Sequence, residues 1–178
     1  MKNQYEVRGD IAVIFLRRRD GTVLETKIDV ADLERVKELP GRWHAYWHPD
    51  TQSFYVKGPI MHENGRKTTV RLHRWILQTA IDLEVDHRDH DTLNNLRLNL
   101  REVTASENKQ NIKGALKSNR TSGIRGVCWD KHNKKWKAAI RLKGRHIHLG
   151  NFDDLTEAAD AVKKARSSLM PYSVMDAI

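Results

Sequence analysis

An acid and a histidine are adjacent at Asp86-His87, and two asparagines, Asn99 and Asn108, follow 12 and 21 residues after the histidine. A histidine is a good general base near neutral pH because its pKa lies close to that value. Carboxylate and amide oxygens are hard ligands that suit Mg²⁺ or Mn²⁺, with water and substrate phosphate as the remaining ligands. These residue types fit phosphodiester hydrolysis, which needs a deprotonated water and a cation near the scissile phosphate.

The surrounding sequence predicts elements that bring these side chains together. Val85-Asp86-His87 is typical of a short strand, an Asp- and Asn-rich loop follows, and LRLNLREV predicts a second strand. Thr104 and Glu107 have the spacing of a capping box, which places Asn108 in the first turn of a helix. The order strand, loop, strand, helix would put the end of the first strand beside the start of the helix.

This stretch resembles the HNH, or ββα-metal, nucleases, and most closely the phage and intron-encoded homing endonucleases. By that resemblance His87 is the general base, Asp86 and Asn108 are metal ligands, and Asn99 positions the base through the loop. One Mg²⁺ or Mn²⁺ ion is implied per site. The pair His73-Arg74 resembles the one that precedes the motif in this subgroup, and Arg74 is expected to be structural or to contact a DNA phosphate.

A simpler interpretation of the polar run RDHDTLNN is a turn built from good turn formers, to which we assign Asp89, His90 and Asp91. Asp86-His87 alone could be a hydrogen-bonded loop pair. The combination of VDH, LNL and SEN at family spacing favours a homing-type endonuclease that nicks double-stranded DNA as a monomer. The alternative is a non-catalytic, sequence-specific DNA-binding regulator with a degenerate nuclease core, and an RNA-directed protein is a weaker alternative.

The C-terminal part predicts a three-stranded antiparallel sheet packed on one helix. GIRGVCW, KWKAAIRL and RHIHLGNF are the strands, and Asp154 begins a helix with one apolar stripe formed by Leu155, Ala158, Ala159, Val162 and Ala165. Alternation directs Trp136, Ala138, Ile140 and Leu142 of the middle strand toward the helix and Lys137 and Arg141 away from it. A basic sheet face is therefore expected to remain available for a DNA groove.

Residues 122–166 resemble the plant ethylene-response-factor (APETALA-type) DNA-binding domain, on the motifs GIRGVCW, WKAAIR, HLGNF and EAADAVKKA. The resemblance implies DNA contacts by Arg125, Arg141, His146 and His148. Ala139, Cys128 and the two histidines occupy positions where the plant domains have other residues, so the plant target sequence does not transfer. Trp136 is assigned to the core, and Trp129 is left between a packing residue and a DNA contact.

The charge distribution supports a polyanionic partner. The chain has a net charge of +9, yet the segment from Lys109 to Phe152 contains twelve Lys or Arg and one acid, Asp130. That segment carries +11 and the remainder nets −2, which is the pattern expected for binding to a phosphate backbone.

The rest of the sequence narrows the class of protein. In residues 1–67, IAVIFL and TVLETKI flank a turn at Asp20-Gly21, and a short helix capped by Asp29 is expected to bury Leu33, Val36 and Leu39. The single cysteine, Cys128, excludes disulfide frameworks and four-cysteine sites, and no structural zinc is implied. No apolar run has membrane length and no signal segment is evident, so we expect a cytoplasmic protein, in a bacterial host if it is phage-encoded.

The sequence thus predicts an α+β protein of four segments: a β-rich N-terminal region (1–67), an HNH nuclease core (68–111), a basic linker (112–121), and an ethylene-response-factor-like domain (122–178). No chemistry is assigned to the first segment.

Overall fold

Two compact units, Met1–Glu102 and Val103–Ile178, divide the computed structural model. The structure describes residues 1–112, 114–115 and 119–174. Mixed helix and strand content agrees with the predicted α+β class. Part of the predicted linker, residues 113 and 116–118, lies outside the described residues, and the subdivision into four segments stays a prediction. None of the helices in the described part of the chain has the length and apolarity of a transmembrane span.

The first unit begins with a three-stranded antiparallel sheet, β1 (Tyr5–Arg8), β2 (Ile11–Arg17) and β3 (Val23–Asp29). The predicted hairpin between β2 and β3 is confirmed: Arg17 pairs with Val23, and the Asp20 side chain accepts a hydrogen bond from Thr22 N in the turn. The helix that follows is a 3-10 turn (Val30–Asp32) continuing into α1 (Leu33–Lys37).

The predicted apolar face of α1 is confirmed, because Leu33, Val36 and Leu39 are buried in the core. Asp29 occupies the N-cap position, as predicted. Its side chain makes no capping hydrogen bond and instead accepts one from Arg97 N, 68 residues further along the chain. A tertiary contact has replaced the local one.

A second antiparallel sheet consists of β4 (His44–His48), β5 (Ser53–Met61) and β6 (Lys67–Arg71), and α2 (Leu72–Leu77) follows directly. One core includes residues from both sheets and both helices, among them Ile14, Ile28, Trp43, Val56 and Ile76. Because this core extends from Ala12 to Leu100, the β-rich region and the strands around Asp86-His87 are packed as one body.

The candidate residues lie on a two-stranded sheet, β7 (Glu84–His87) and β8 (Leu100–Val103). β7 is confirmed, but the second strand is half as long as predicted. Residues 96–99 form a turn in which Asn99 N donates to Leu96 O at 2.9 Å, and Leu98 is 90% exposed. The alternating pattern of LRLNL is outweighed by the contacts of Arg97, which are described below.

The second unit contains the short helix α3 (Ala105–Asn108) and the sheet β9 (Val127–Asp130), β10 (Lys135–Leu142) and β11 (Arg145–Phe152), followed by α4 (Leu155–Leu169). The order β11-β10-β9 is antiparallel throughout, as predicted. Both predicted helix starts are confirmed: Thr104 and Glu107 form a capping box, and Asp154 accepts from Thr156 N and Glu157 N.

The core of the second unit lies between α4 and one face of this sheet. Val127, Ala138, Ile140, Ala158 and Val162 are buried there, with Trp136, Leu142, Ile147 and Leu149 packed around them. Gly126, with φ +87°, has no room for a side chain, since a Cβ would lie 2.7 Å from Ala139 O. The helix therefore lies close to the sheet, and the opposite face of the sheet is left exposed.

Candidate active site

His87 is the last residue of β7 and is 4% exposed. Burial lowers its pKa, while the hydrogen bond with Asn95 Oδ1 and the nearby acids act in the opposite direction. The net effect keeps the imidazole neutral at neutral pH, so that it can accept a proton.

Asn95, which the sequence analysis did not single out, holds the His87 ring. Asn95 is fully buried, and its Oδ1 lies 3.2 Å from His87 Nε2. Its Nδ2 donates to Thr26 Oγ1 at 2.9 Å, and Thr26 Oγ1 donates to Leu93 O at 2.7 Å. A carbonyl oxygen can only accept, so the direction of every bond in this chain is fixed.

That direction sets the tautomer of His87. Because Asn95 Nδ2 is used as a donor, its Oδ1 faces the ring, and His87 Nε2 must carry the proton that it donates. Nδ1 is then the nitrogen with the basic lone pair. The ring is thus oriented by two residues of which one, Thr26, belongs to β3.

The loop between His87 and β8 is closed by Asn99, as its predicted role in positioning requires. Asn99 Oδ1 accepts from Asp89 N at 3.0 Å, Asn99 Nδ2 donates to Asn94 O at 2.8 Å, and its carbonyl accepts from Arg88 N at 2.9 Å. The assignment of Asp89 and Asp91 to a turn fits their side chains, which accept from Asp91 N and Leu93 N. A contribution of Asn99 to catalysis stays a prediction.

The same loop is attached to the N-terminal sheet by Arg97. Its guanidinium makes two hydrogen bonds to the buried carboxylate of Asp32, at 2.6 and 2.8 Å, and its backbone N donates to Asp29 at 2.7 Å. Leu93 O also accepts from Lys27 N at 3.0 Å. The loop is therefore anchored along β3 and the turn after it.

Asp86 precedes His87 and is 7% exposed. Arg101 on β8 donates to its Oδ2 from Nε at 2.9 Å and from Nη2 at 2.6 Å. The pair compensates the charge of a carboxylate that would otherwise be costly to bury. Opposite charges on neighbouring strands are a signal that sequence could have given for Arg101.

Two more rings surround His87. The His73 ring is edge-on to it, with centroids 5.1 Å apart, and Tyr55 lies 6.1 Å from His87 and 5.8 Å from His73. His73 is 2% exposed, and burial holds its pKa well below the usual value, with the nearby His87, Arg71 and Arg74 acting in the same direction. His73 is therefore a neutral packing partner of the candidate base.

The Arg74 side chain is hydrogen-bonded to backbone carbonyl groups. Its guanidinium donates to Leu83 O and Ala80 O at 2.7 Å and to Thr79 O at 3.3 Å, which gives the structural role that was one of the two expectations. A contact of Arg74 with DNA stays a prediction.

In the second unit Asn108 lies in the first turn of α3, as predicted from the capping box, and because α3 is one turn long Asn108 is also its last residue. Asp86, His87 and Asn99 are brought together in the first unit, and Asn108 belongs to the second. No group of three or more His, Cys, Asp or Glu side chains that could hold a metal ion occurs among the described residues. The oxygen donors predicted for a divalent ion are thus one carboxylate and one amide.

The outer face of the β9-β10-β11 sheet carries most of the predicted DNA-contacting residues. Arg141 pairs with His146 and Ala139 pairs with His148 across β10 and β11, while Lys137 pairs with Asn151. Lys137, Arg141, His146 and His148 are exposed, as alternation predicted. These four side chains form one polar face.

Arg125, the remaining DNA contact predicted for this unit, is hydrogen-bonded within the protein. Its guanidinium donates to the carbonyl oxygens of Gln110, Ile112 and Lys109, at 2.8 to 2.9 Å, and its own carbonyl accepts from Arg166. This arrangement ties the segment after α3 to the start of the sheet. DNA contact by Arg125 stays a prediction.

Comparison with known proteins gives one informative relationship. The chain is 34% identical over 85 residues to protein 3.8 of Escherichia phage T7, a match that covers 48% of this chain and 68% of the phage protein. No protein-family model matches the chain. No solved structure matches it either. From the identity and the share of the phage protein that is covered, the chain belongs to the family of phage T7 protein 3.8.

Proposed function

We propose that the chain is an HNH-type DNA endonuclease, of the homing kind, that hydrolyses one phosphodiester bond and nicks double-stranded DNA. The observation that carries this proposal is the state of His87: a buried, neutral imidazole whose Nε2 is held by Asn95, beside the buried carboxylate of Asp86. A general base must be unprotonated and oriented before substrate binds, and His87 meets both conditions.

In the proposed reaction His87 Nδ1 takes a proton from a water whose oxygen attacks the phosphorus atom. The bond from phosphorus to the leaving sugar oxygen breaks, and that oxygen takes a proton from solvent. Asn95 holds the protonated Nε2, and this bond persists when the ring becomes an imidazolium, because Nε2 is a donor in both states. Asn99 fixes the loop that carries these groups. Asp86 is held in place by Arg101, so its carboxylate does not reorganise during the reaction.

A single Mg²⁺ or Mn²⁺ ion fits the chemistry of the donor set, because such ions keep several waters and need few protein ligands. Asp86 and Asn108 are the residues that would hold it. When bound, the ion would stabilise negative charge on the phosphate and on the leaving oxygen.

The outer face of the β9-β10-β11 sheet supports double-stranded DNA as the partner. Lys137 and Arg141 are exposed on it, and no acid lies among its four predicted contact residues. We propose that this face positions the enzyme on DNA, and that Arg141 is the strongest candidate for reading a base edge, since arginine makes the commonest specific contact with guanine.

The test is conversion of supercoiled plasmid to the nicked form with Mg²⁺, with and without chelator. His87→Ala is expected to lower the nicking rate by at least about a hundredfold, the usual scale for a general base. The matched control is His62→Ala, which removes an exposed histidine whose ring is hydrogen-bonded to Thr68. Nicking by His87→Ala at the wild-type rate would refute the assignment of His87 as the general base. If the wild-type protein binds DNA but does not nick it, the alternative function, a non-catalytic DNA-binding regulator, is favoured.

A further inference from the structure

The β4-β5-β6 sheet has one face in the core, and the residues of its other face are partly buried or exposed. Ala45, Val56, Ile60 and Val70 pack inward. Alternation and strand register place the following residues on the other side, here called the aromatic-basic face: His44, Tyr46, His48, Ser53, Tyr55, Lys57, Pro59, Met61, Lys67, Thr69 and Arg71. This face contains three Lys or Arg, two histidines and no acid.

Two of the three cations on this face lie over aromatic rings. Lys57 Nζ is 3.5 Å from the centroid of the Tyr46 ring, and Arg71 Cζ is 5.3 Å from that of Tyr55. Lys57, Lys67 and Arg71 form no salt bridge with any carboxylate in the part of the chain that the structure describes. Their positive charge is therefore not compensated within the first unit.

The aromatic-basic face includes a residue next to the candidate base, His87. Register places Lys57 opposite both His44 and Arg71, and Tyr46 opposite Tyr55, which gives two adjacent rows across the sheet. Tyr55 is also the residue whose ring lies 6.1 Å from His87. The row of positive charge is thus next to the ring that flanks the candidate active site.

We propose that the aromatic-basic face binds the sugar-phosphate backbone of duplex DNA beside the phosphate that is cut. The inference rests on the proposed function for its ligand and adds a second DNA-binding surface, in the unit that contains His87. Charge complementarity argues for this occupant: an uncompensated set of cations without acids suits a polyanion. Phosphate contacts carry no sequence information, so the face sets register on the duplex while base reading occurs elsewhere.

The experiment measures the affinity of the full-length protein for a duplex at several salt concentrations, in chelator so that no cleavage occurs. The test variant is Lys57→Gln with Arg71→Gln. The matched control, Lys2→Gln with Arg19→Gln, removes one lysine and one arginine that are exposed elsewhere in the first unit. A third protein, Lys57→Arg with Arg71→Lys, keeps both charges, and thermal unfolding checks that each protein is folded.

Each lost phosphate contact makes the slope of log affinity against log salt shallower by about 0.9. The slope of the test variant, which lacks two such contacts, is therefore expected to be shallower than that of the wild type by about 1.8. The control and the charge-conserving protein are expected to keep the wild-type slope. An equal slope for test and control variants overturns the inference, as does a change seen with duplex RNA but not with duplex DNA. If Lys57→Gln with Arg71→Gln is unfolded, Lys57→Gln alone replaces it, with an expected loss of about 0.9. If the wild-type protein nicks DNA but the test variant keeps the wild-type slope, only the DNA-binding role of the aromatic-basic face is refuted. If the slope changes but the wild-type protein does not nick DNA, the endonuclease proposal is refuted and DNA binding by this face is retained.

Discussion

Replacing Asn95 by alanine tests the positioning of His87 most directly. The substitution removes the acceptor of His87 Nε2 and the donor to Thr26 Oγ1, both in a buried site. Asn95 is fully buried, and its amide oxygen and nitrogen are both bonded to protein groups, so its contribution to cleavage is expected to pass through the ring of His87.

The expected size of the effect follows from the bonds lost. A typical hydrogen bond contributes about 0.5–1.5 kcal/mol, which corresponds to a nicking rate lower by roughly twofold to tenfold when the ring is no longer held. Leaving the His87 donor without its partner costs about 1–3 kcal/mol of unfolding free energy. For a unit of this size each kcal/mol lowers the Tm by roughly 4–8 °C.

A second readout separates positioning from a purely structural role. The hydrogen bond that His87 donates to Asn95 raises the pKa of His87, against the larger effect of burial. Its removal lowers that pKa further, so the acid limb of the pH profile of nicking is expected to move to lower pH. Single-turnover nicking between about pH 5 and 9, with thermal unfolding of the same samples, measures both quantities.

The other end of the hydrogen-bond chain offers a matched pair of variants. Thr26→Val removes the hydroxyl that donates to Leu93 O and accepts from Asn95, whereas Thr26→Ser keeps it. Thr26→Val is expected to change rate and pH profile in the same direction as Asn95→Ala, and Thr26→Ser to resemble wild type. If Asn95→Ala nicks DNA at the wild-type rate with an unmoved acid limb, the argument for the held tautomer is wrong.

Three further predictions concern metal, stability and DNA binding. Asp86→Ala and Asn108→Ala should each raise the Mg²⁺ concentration for half-maximal nicking or abolish nicking, and Mg²⁺ titrations that match wild type for both would refute the two-ligand site. Burial lowers the pKa of both His73 and His87, so the unfolded chain binds more protons than the folded one at pH values between the lowered pKa and the unfolded pKa near 6.5. The free energy of unfolding, measured with denaturant, should therefore fall as the pH drops below 6.5, by up to about 1.4 kcal/mol per pH unit for each histidine. An unfolding free energy that does not change with pH in this range would contradict the prediction. Arg141→Ala should cost roughly 1–3 kcal/mol on the cognate duplex if Arg141 reads a base edge, with relaxed preference at one position; a loss that is uniform across cognate and random duplexes would assign it to phosphate instead.

Local signals in the sequence predicted those elements that are determined locally. The capping box at Thr104, the helix start at Asp154 and the apolar stripe of α4 depend on residues within a few positions of one another, and each was confirmed. The strand that ends in Asp86-His87 was also correctly placed.

Predictions failed where a distant partner determines the structure. The Asp29 side chain makes no capping hydrogen bond because it binds Arg97 N, and residues 96–99 form a turn while the Arg97 guanidinium binds Asp32. Of the neighbours Asn94 and Asn95, only Asn95 contacts His87, and no pattern in the sequence distinguishes the two. The contacts of Arg97 with Asp29 and Asp32 join residues that are more than 60 positions apart, which periodicity cannot reveal.

The anchoring of the loop along β3 has a consequence for how this protein can evolve. A nuclease motif is often regarded as a module that recombination can transfer between proteins. Here the segment 68–111 would arrive without Thr26, Asp29 and Asp32, and so without the partners of Asn95 and Arg97. Only an exchange that includes residues from β3 onward would deliver the His87 loop with all these partners, so chimaeric genes whose products fold are expected to have their crossover points upstream of Val23 or downstream of residue 111.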